Sequence, residues 1–199
     1  MPGKVTSKPG LREMTRRAVR TQIAETAMAL FVAEGFDETT VDQIAAAVGI
    51  SSRSVFRYFA AKEDIVVGHL DEIGERLAAA LEARPRDESP WVALRRAMDP
   101  HIEDLNGNTD ANVATAVMLS GTAALRGALL NKRARWEDAL VPNVMRRLKG
   151  PARVRELQAR AVVSAALACL NTAVDEWARS GGTKPLDKLL DSAIDAVRS

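Results

Sequence analysis

Cysteine, histidine and aromatic residues are scarce in this chain of 199 residues, and each shortage excludes something. The lone cysteine, Cys169, rules out an intrachain disulfide and a cysteine-based metal site. Its place in the apolar run 165–170 suits a buried, inert thiol. Two histidines, His69 and His101, stand far apart and offer little for general acid–base work. The sequence has no Ser-His-Asp set, glycine-rich phosphate loop, His-Glu-x-x-His pair or carboxylate pair at telling spacing. An enzyme is therefore not expected, nor a metal site or a cofactor. Aromatics at 4% are fewer than a β-sandwich or barrel would want. The longest nearly apolar stretch, 161–174, contains Ser164, Asn171 and Thr172 and is too short to span a bilayer. The first ten residues are charged and lack the apolar segment of a secretory signal. These absences point to the cytoplasm, with no membrane partner.

What is present fits a globular protein: 47% apolar and 27% charged residues. This length allows one large domain, or a small one followed by a larger one. The formal charge of +2 hides an uneven distribution. Residues 1–20 hold Lys4, Lys8, Arg12, Arg16, Arg17 and Arg20 against Glu13 alone, a net of +5. Residues 1–62 carry a net +3, and residues 63–199 a net −1. A basic front end on a near-neutral body suits either a solvated tail or a polyanion partner.

Hydrophobic spacing reads as helix throughout, an all-α chain. Val19, Ile23, Ala27, Leu30 and Phe31 predict a helix over 16–34, ended by Gly35. Thr40 followed by Gln43 is a capping box, so a short helix starts after Thr40 and stops at Gly49. Ser51 caps a third helix over 52–58. Further helices are expected over 62–83, 91–105, 112–120, onward to 148 with a kink at Pro142, and 152–179. Leu186, Leu189, Leu190, Ala193 and Val197 mark a last amphipathic helix.

The second and third helices, joined by Gly49-Ile50-Ser51, have the layout of a helix-turn-helix. Ser52, Arg53 and Ser54 sit at the N-terminal end of the candidate recognition helix, where side chains reach base edges. Arg53 carries the fork that guanine O6 and N7 accept. Val55, Phe56 and Phe59 are assigned to holding that helix on its small core.

Residues 20–65 resemble the N-terminal domain of the TetR family of bacterial transcriptional repressors. The residues that carry the likeness are Arg20, Ile23, Ala27, Leu30-Phe31, Gly35-Phe36, Thr39-Thr40-Val41, Ile44-Ala45, Gly49-Ile50-Ser51, Phe56, Tyr58-Phe59 and Lys62-Glu63. The resemblance implies a double-stranded DNA operator as partner. Base readout falls to Ser52, Arg53 and Ser54, and sequence-blind phosphate contacts to Thr40, Tyr58 and Lys62. Two departures stand out. Phe56 replaces a common tyrosine and loses its phosphate bond, for which Arg57 is the proposed substitute. Ala61 replaces a common cap, so the next helix starts weakly. The expected organisation is a basic flexible arm over 1–15, a DNA-binding domain over 16–61, and an effector-binding and dimerisation domain over 62–199. Lys8, Arg12, Arg16 and Arg17 form the arm, which either enters the minor groove or adds only non-specific attraction.

The helix at 152–179 is apolar on nearly every side, so it needs cover on all of them. The resemblance implies a homodimer through the last two helices, with Val163, Leu167, Leu170, Val174, Leu186, Leu190 and Ile194 as the expected interface. It also implies a small-molecule effector held between residues 63 and 150, with Trp91, Met98, His101, Met118, Leu119 and Trp136 as candidate lining. The recognition-helix residues are similar to a subgroup whose effectors include acyl-CoA thioesters, so a hydrophobic ligand is expected. The helix from Lys62 is the expected lever between the two sites. Release from a palindromic operator would make the protein a repressor; an activator, or a ligand-independent DNA-binding or protein-partner factor, are the alternatives.

Overall fold

A computed structural model of the chain describes residues 10–68 and 70–198. His69, together with Lys4 and Lys8 of the arm, lies outside the described residues. Among the described residues there are eleven helices and no strand. They fall into two compact units that divide along the chain between Val66 and Val67.

The first unit is built from α1 (Leu11–Glu34), α2 (Val41–Val48), α3 (Ser52–Phe56) and most of α4 (Lys62–Val67). Its core is small: Ile23, Ala27, Phe31, Ile44, Val55 and Phe59 are buried together with a few neighbours. The rings of Phe31 and Phe36 lie 5.0 Å apart and tilted, which packs the end of α1 on the loop that follows it. α1 starts at Leu11, earlier than the apolar period predicts, so Arg12 belongs to a helix and not to a flexible arm. Leu11, Arg12, Glu13 and Met14 are good helix formers, but they have no core to face, and periodicity is blind to them.

The capping box at α2 is formed: the Gln43 N–H donates to Thr40 Oγ1 at 3.2 Å, and the Thr40 N–H donates to Gln43 Oε1 at 2.7 Å. Gly49 ends α2 with φ +80°, a left-handed conformation that glycine adopts without a Cβ penalty. At α4, where no cap is available from Ala61, Asp64 Oδ2 accepts the Ala61 N–H at 3.1 Å. That is the reciprocal half of a capping box, supplied from inside the helix.

The second unit holds α5 (Leu70–Ala83), α6 (Pro90–Ala97), α7 (Asp99–Gly107), α8 (Thr109–Gly121), α9 (Ala123–Met145), α10 (Ala152–Arg179) and α11 (Leu186–Arg198). The continuous helix expected over 62–83 is in fact two, α4 and α5, broken after Val67. Gly68 lies in the break, and glycine costs about 1 kcal/mol inside a helix. The helix from Lys62, the expected lever, thus ends at Val67. The expected helix over 91–105 also divides, because Pro100 is favoured in the first turn of a new helix. α9 runs on past Pro142, close to its end. α8 and α9 are bent by 99° at Thr122.

α10 is the centre of this unit, packed on α9, α11, α8 and α6. At 28 residues it is long and apolar enough, by length and composition, to cross a membrane, which corrects the shorter estimate from the stretch 161–174. Its apolar character is used by the bundle: Trp177 is fully buried, and Val163, Ala166, Leu170 and Ala173 are buried with it. Cys169 is buried too, and burial pushes its thiol above the ordinary range, as an inert thiol requires. The helix ends in a Schellman pattern, with the Gly182 N–H on Trp177 O at 3.0 Å and the Gly181 N–H on Ala178 O at 2.9 Å.

Lys132 of α9 is only 6% exposed and pairs with Asp71 of α5, which also receives Arg135 at 3.1 Å. Burial pushes the Asp71 carboxyl up, but the hydrogen bonds and charges of Lys132 and Arg135 outweigh it and hold the group below its ordinary value. The folded pKa is lowered, so this contribution to stability is present above the unfolded value of about 4 and fades as pH falls through the folded one. Asp71 is half-exposed, which places the pair between surface and buried cases. Asp71→Asn should therefore cost about 1–3 kcal/mol at pH 7 in urea unfolding, and the gap to wild type should narrow below about pH 4. Equal stability of the two proteins at pH 7 would show that the pair contributes nothing.

Candidate nucleic-acid interface and ligand cavity

α3 is short enough that one face decides everything. Val55 is buried and Phe59, just beyond the helix, is buried with it. Residues 53, 56 and 57 lie three and four apart and share the opposite face. Arg53 and Arg57 are exposed, and so is Phe56, at 52%. The expectation that Phe56 anchors the helix is thus wrong: Val55 and Phe59, four apart, take the inner side, and Phe56, 52% exposed, lies about 100° round the helix from Val55. An outward aromatic beside two arginines is an addition to the site, suited to a thymine methyl.

The remaining base-reading candidates are partly engaged. The Ser52 hydroxyl donates to Asp42 Oδ1, and the Ser54 and Ser51 hydroxyls are 2.9 Å apart. Arg53 makes no ion pair among the described residues, so its fork is available. The phosphate candidates also differ from one another. Thr40 directs both its N–H and its hydroxyl onto Gln43 Oε1, at 2.7 and 2.8 Å. A phosphate oxygen would have to displace that carboxamide to use them. Lys62 donates to Phe36 O at 2.7 Å and Thr39 O at 3.0 Å, with its ammonium 4.2 Å from the centre of the Phe36 ring. Two of its three donors hold the loop between α1 and α2, which leaves one.

Tyr58 is half-buried, and its carbonyl accepts Arg20 Nη1 at 3.2 Å, while the Arg20 guanidinium stands 4.6 Å over the Phe59 ring. Arg12 and Arg16, one turn apart on α1, meet Arg57 and Tyr58 in an open groove of about 550 Å³. Three arginines bordering one concavity give it a positive lining, which favours anions. Arg17 lies elsewhere on α1, in a separate shallow depression with Met14 and Thr21.

The second unit contains a cavity of about 350 Å³. His101, Leu119 and Trp136 line it; Trp91, Met98 and Met118 do not. Met98 is fully packed core, and Trp91 is half-buried against the core. Helical spacing finds inward-facing side chains but cannot tell a packed layer from a hollow one. Trp136 is fixed in place, since its Nε1 donates to Leu70 O at 2.9 Å and its ring fills the space a Cβ on Gly74 would take. The polar lining was missed in sequence: Arg126 and Arg133, seven apart on α9, and Asn171 and Asp175, four apart on α10. Polar residues at helical spacing inside apolar runs were the available signal.

The seven residues expected at a dimer interface face inward instead. Val163, Leu167, Leu170, Leu186, Leu190 and Ile194 are buried in the chain's own core, and Val174 is half-buried; Leu167, Leu170 and Val174 line the cavity. An apolar stripe is covered by the nearest apolar surface, and here α9 and α11 supply it.

The profile of the tetR family of bacterial regulatory proteins matches residues 23–67, and that of the MftR C-terminal domain matches residues 88–199. The chain is 31% identical to the HTH-type transcriptional regulator TcmR of Streptomyces glaucescens, over 96% of this chain and 87% of that protein. In structure it is similar to the transcriptional regulator FadR of Bacillus subtilis, solved in complex with stearoyl-CoA: TM-score 0.60 at 18% identity, over 90% of this chain and 97% of the other. It is also similar to NalD of Pseudomonas aeruginosa, the secondary repressor of a multidrug efflux pump: TM-score 0.61 at 19% identity, over 93% and 96%. At such identities these two structures speak for the fold.

Proposed function

The chain belongs to the TetR family of bacterial regulatory proteins, and from that premise we propose that it is a ligand-responsive repressor. Two copies of α3 in a homodimer read the half-sites of a palindromic operator, and a small apolar molecule in the second unit releases them. The observation that carries the reading is the divided surface of α3: Val55 tied to the core, with Arg53, Phe56 and Arg57 turned outward. Arg53 reads bases, and Arg12, Arg16, Arg57 and Tyr58 hold the backbone. Thr40 and Lys62 contribute only where their present partners yield.

The cavity supports the ligand-responsive part of this reading, being largely apolar with a few polar groups, as small-molecule sites are. Ligand binding there lowers operator affinity through a coupling of typically 1–3 kcal/mol. An acyl chain, as in the thioester effectors suggested by the recognition helix, is the first class to try. For the dimer, the exposed residues of α10 supply a different strip from the one expected: Val154, Leu157, Ala161, Ser164 and Ala168. Their spacing of three and four is that of helices packed along a shared seam.

Selection from a random DNA pool tests the reading. The purified protein should return an inverted repeat, bound as a dimer, with affinity falling steeply as salt rises. Failure to enrich any site would sink it.

A further inference from the structure

Arg133 stands apart from the neighbouring arginines. Arg135 of α9 pairs with Asp71 and Arg146, just past the end of α9, with Glu82, whereas the Arg133 guanidinium makes no ion pair and no hydrogen bond among the described residues. It is half-buried and forms part of the cavity wall. The nearby carboxylate, Asp175, accepts a hydrogen bond from Asn171 at 3.2 Å and lies beyond ion-pair distance of the guanidinium. Burial pushes the Arg133 guanidinium below its ordinary range, and the Asp175 charge offsets this only in part. Arginine remains charged even so. A desolvated cation without a close partner destabilises the chain that carries it, and such a cost is commonly the mark of a binding site. The other cation on the lining, Arg126, is exposed and already donates to Ser120 O at 2.8 Å.

We propose that the effector is an apolar molecule bearing one carboxylate, which forms a charge-assisted pair with Arg133 while its body lies against Leu119, Leu129, Trp136 and Leu170. This rests on the ligand-responsive reading above and narrows it. A free acid is favoured over a coenzyme A thioester on two grounds. A cavity of about 350 Å³ sits near the small end of ligand sites and matches a single-chain acid more closely than a thioester with its nucleotide. In a thioester the carbonyl is neutral, and its charges sit on phosphates remote from the chain.

The test uses matched probes on the full chain: dodecanoate with dodecanol, 2-naphthylacetate with 2-naphthylethanol, and lauroyl-CoA, titrated by calorimetry. The acid of at least one pair should bind about tenfold or more tighter than its alcohol. Arg133→Gln should abolish that preference and leave alcohol binding unchanged, and Arg133→Lys should restore part of it. Without ligand, Arg133→Met should raise Tm by a few degrees, because it removes a half-buried charge that Asp175 offsets only in part. Equal binding of acid and alcohol to wild type, a preference that survives in Arg133→Gln, or a Tm lowered by Arg133→Met would each overturn the role of Arg133 and leave the cavity as an apolar site. Tight binding of lauroyl-CoA with none for dodecanoate would overturn the free-acid assignment. No binding of any probe would remove the ligand-responsive reading and this inference together.

Discussion

Arg53→Ala should cost about fivefold or more in operator affinity for each half-site, and about thirtyfold or more for the paired site. One bidentate arginine–guanine contact is worth about 1–3 kcal/mol of discrimination, and a dimer uses it twice. The loss should be selective: affinity for unrelated duplex should change little, because phosphate contacts carry non-specific binding. Arg57→Ala provides the contrast. It should weaken all duplexes alike and reduce the salt slope by about two, one for each protomer. Fluorescence anisotropy on operator and scrambled DNA at several salt concentrations separates the two. If Arg53→Ala weakens both duplexes equally, Arg53 is a phosphate contact and the outward face of α3 does not read sequence. Neither substitution should alter Tm, since both side chains are exposed.

Trp177→Ala should be the most damaging single truncation in the second unit. Its side chain is fully buried where α10 ends, and the Gly182 N–H closes the helix on its carbonyl. Removing a buried tryptophan costs about 3–5 kcal/mol, against a total of about 5–15 kcal/mol for a typical domain. Calorimetry should show a Tm lower by on the order of 10 °C. Leu130→Ala is the control, because Leu130 is 64% exposed and should shift stability by less than about 0.5 kcal/mol. If the two variants melt alike, the core does not depend on Trp177 as the burial implies.

The features legible in advance are those that neighbouring residues settle among themselves. The capping box of Thr40 and Gln43, the left-handed Gly49, the Ser51 cap and the Gly181-Gly182 ending are matters of hydrogen bonds within a turn or two. They formed as the residue types require. So the helical class and the helix-turn-helix could be read from the chain, as could the resemblance that rests on them. The break at Gly68 and the fresh start at Pro100 had local signals too, but the apolar period runs straight through both and concealed them.

Which partner covers an apolar face was decided only in three dimensions. Val163 and Leu190 have the spacing of an interface, and so does a core; the difference lies in whether α9 and α11 reach them first. Met98 and Trp136 both point inward, yet one is packed on all sides and the other borders empty space. Phe56 turned outward because Val55 had already taken the inner face of a helix of one and a half turns. Nothing in the sequence separates Arg133 from a surface arginine, and its isolation appears only once the carboxylates of α5 and α10 are placed. Periodicity records which side of a helix is apolar. Close packing, acting between residues far apart in the chain, decides what that side meets.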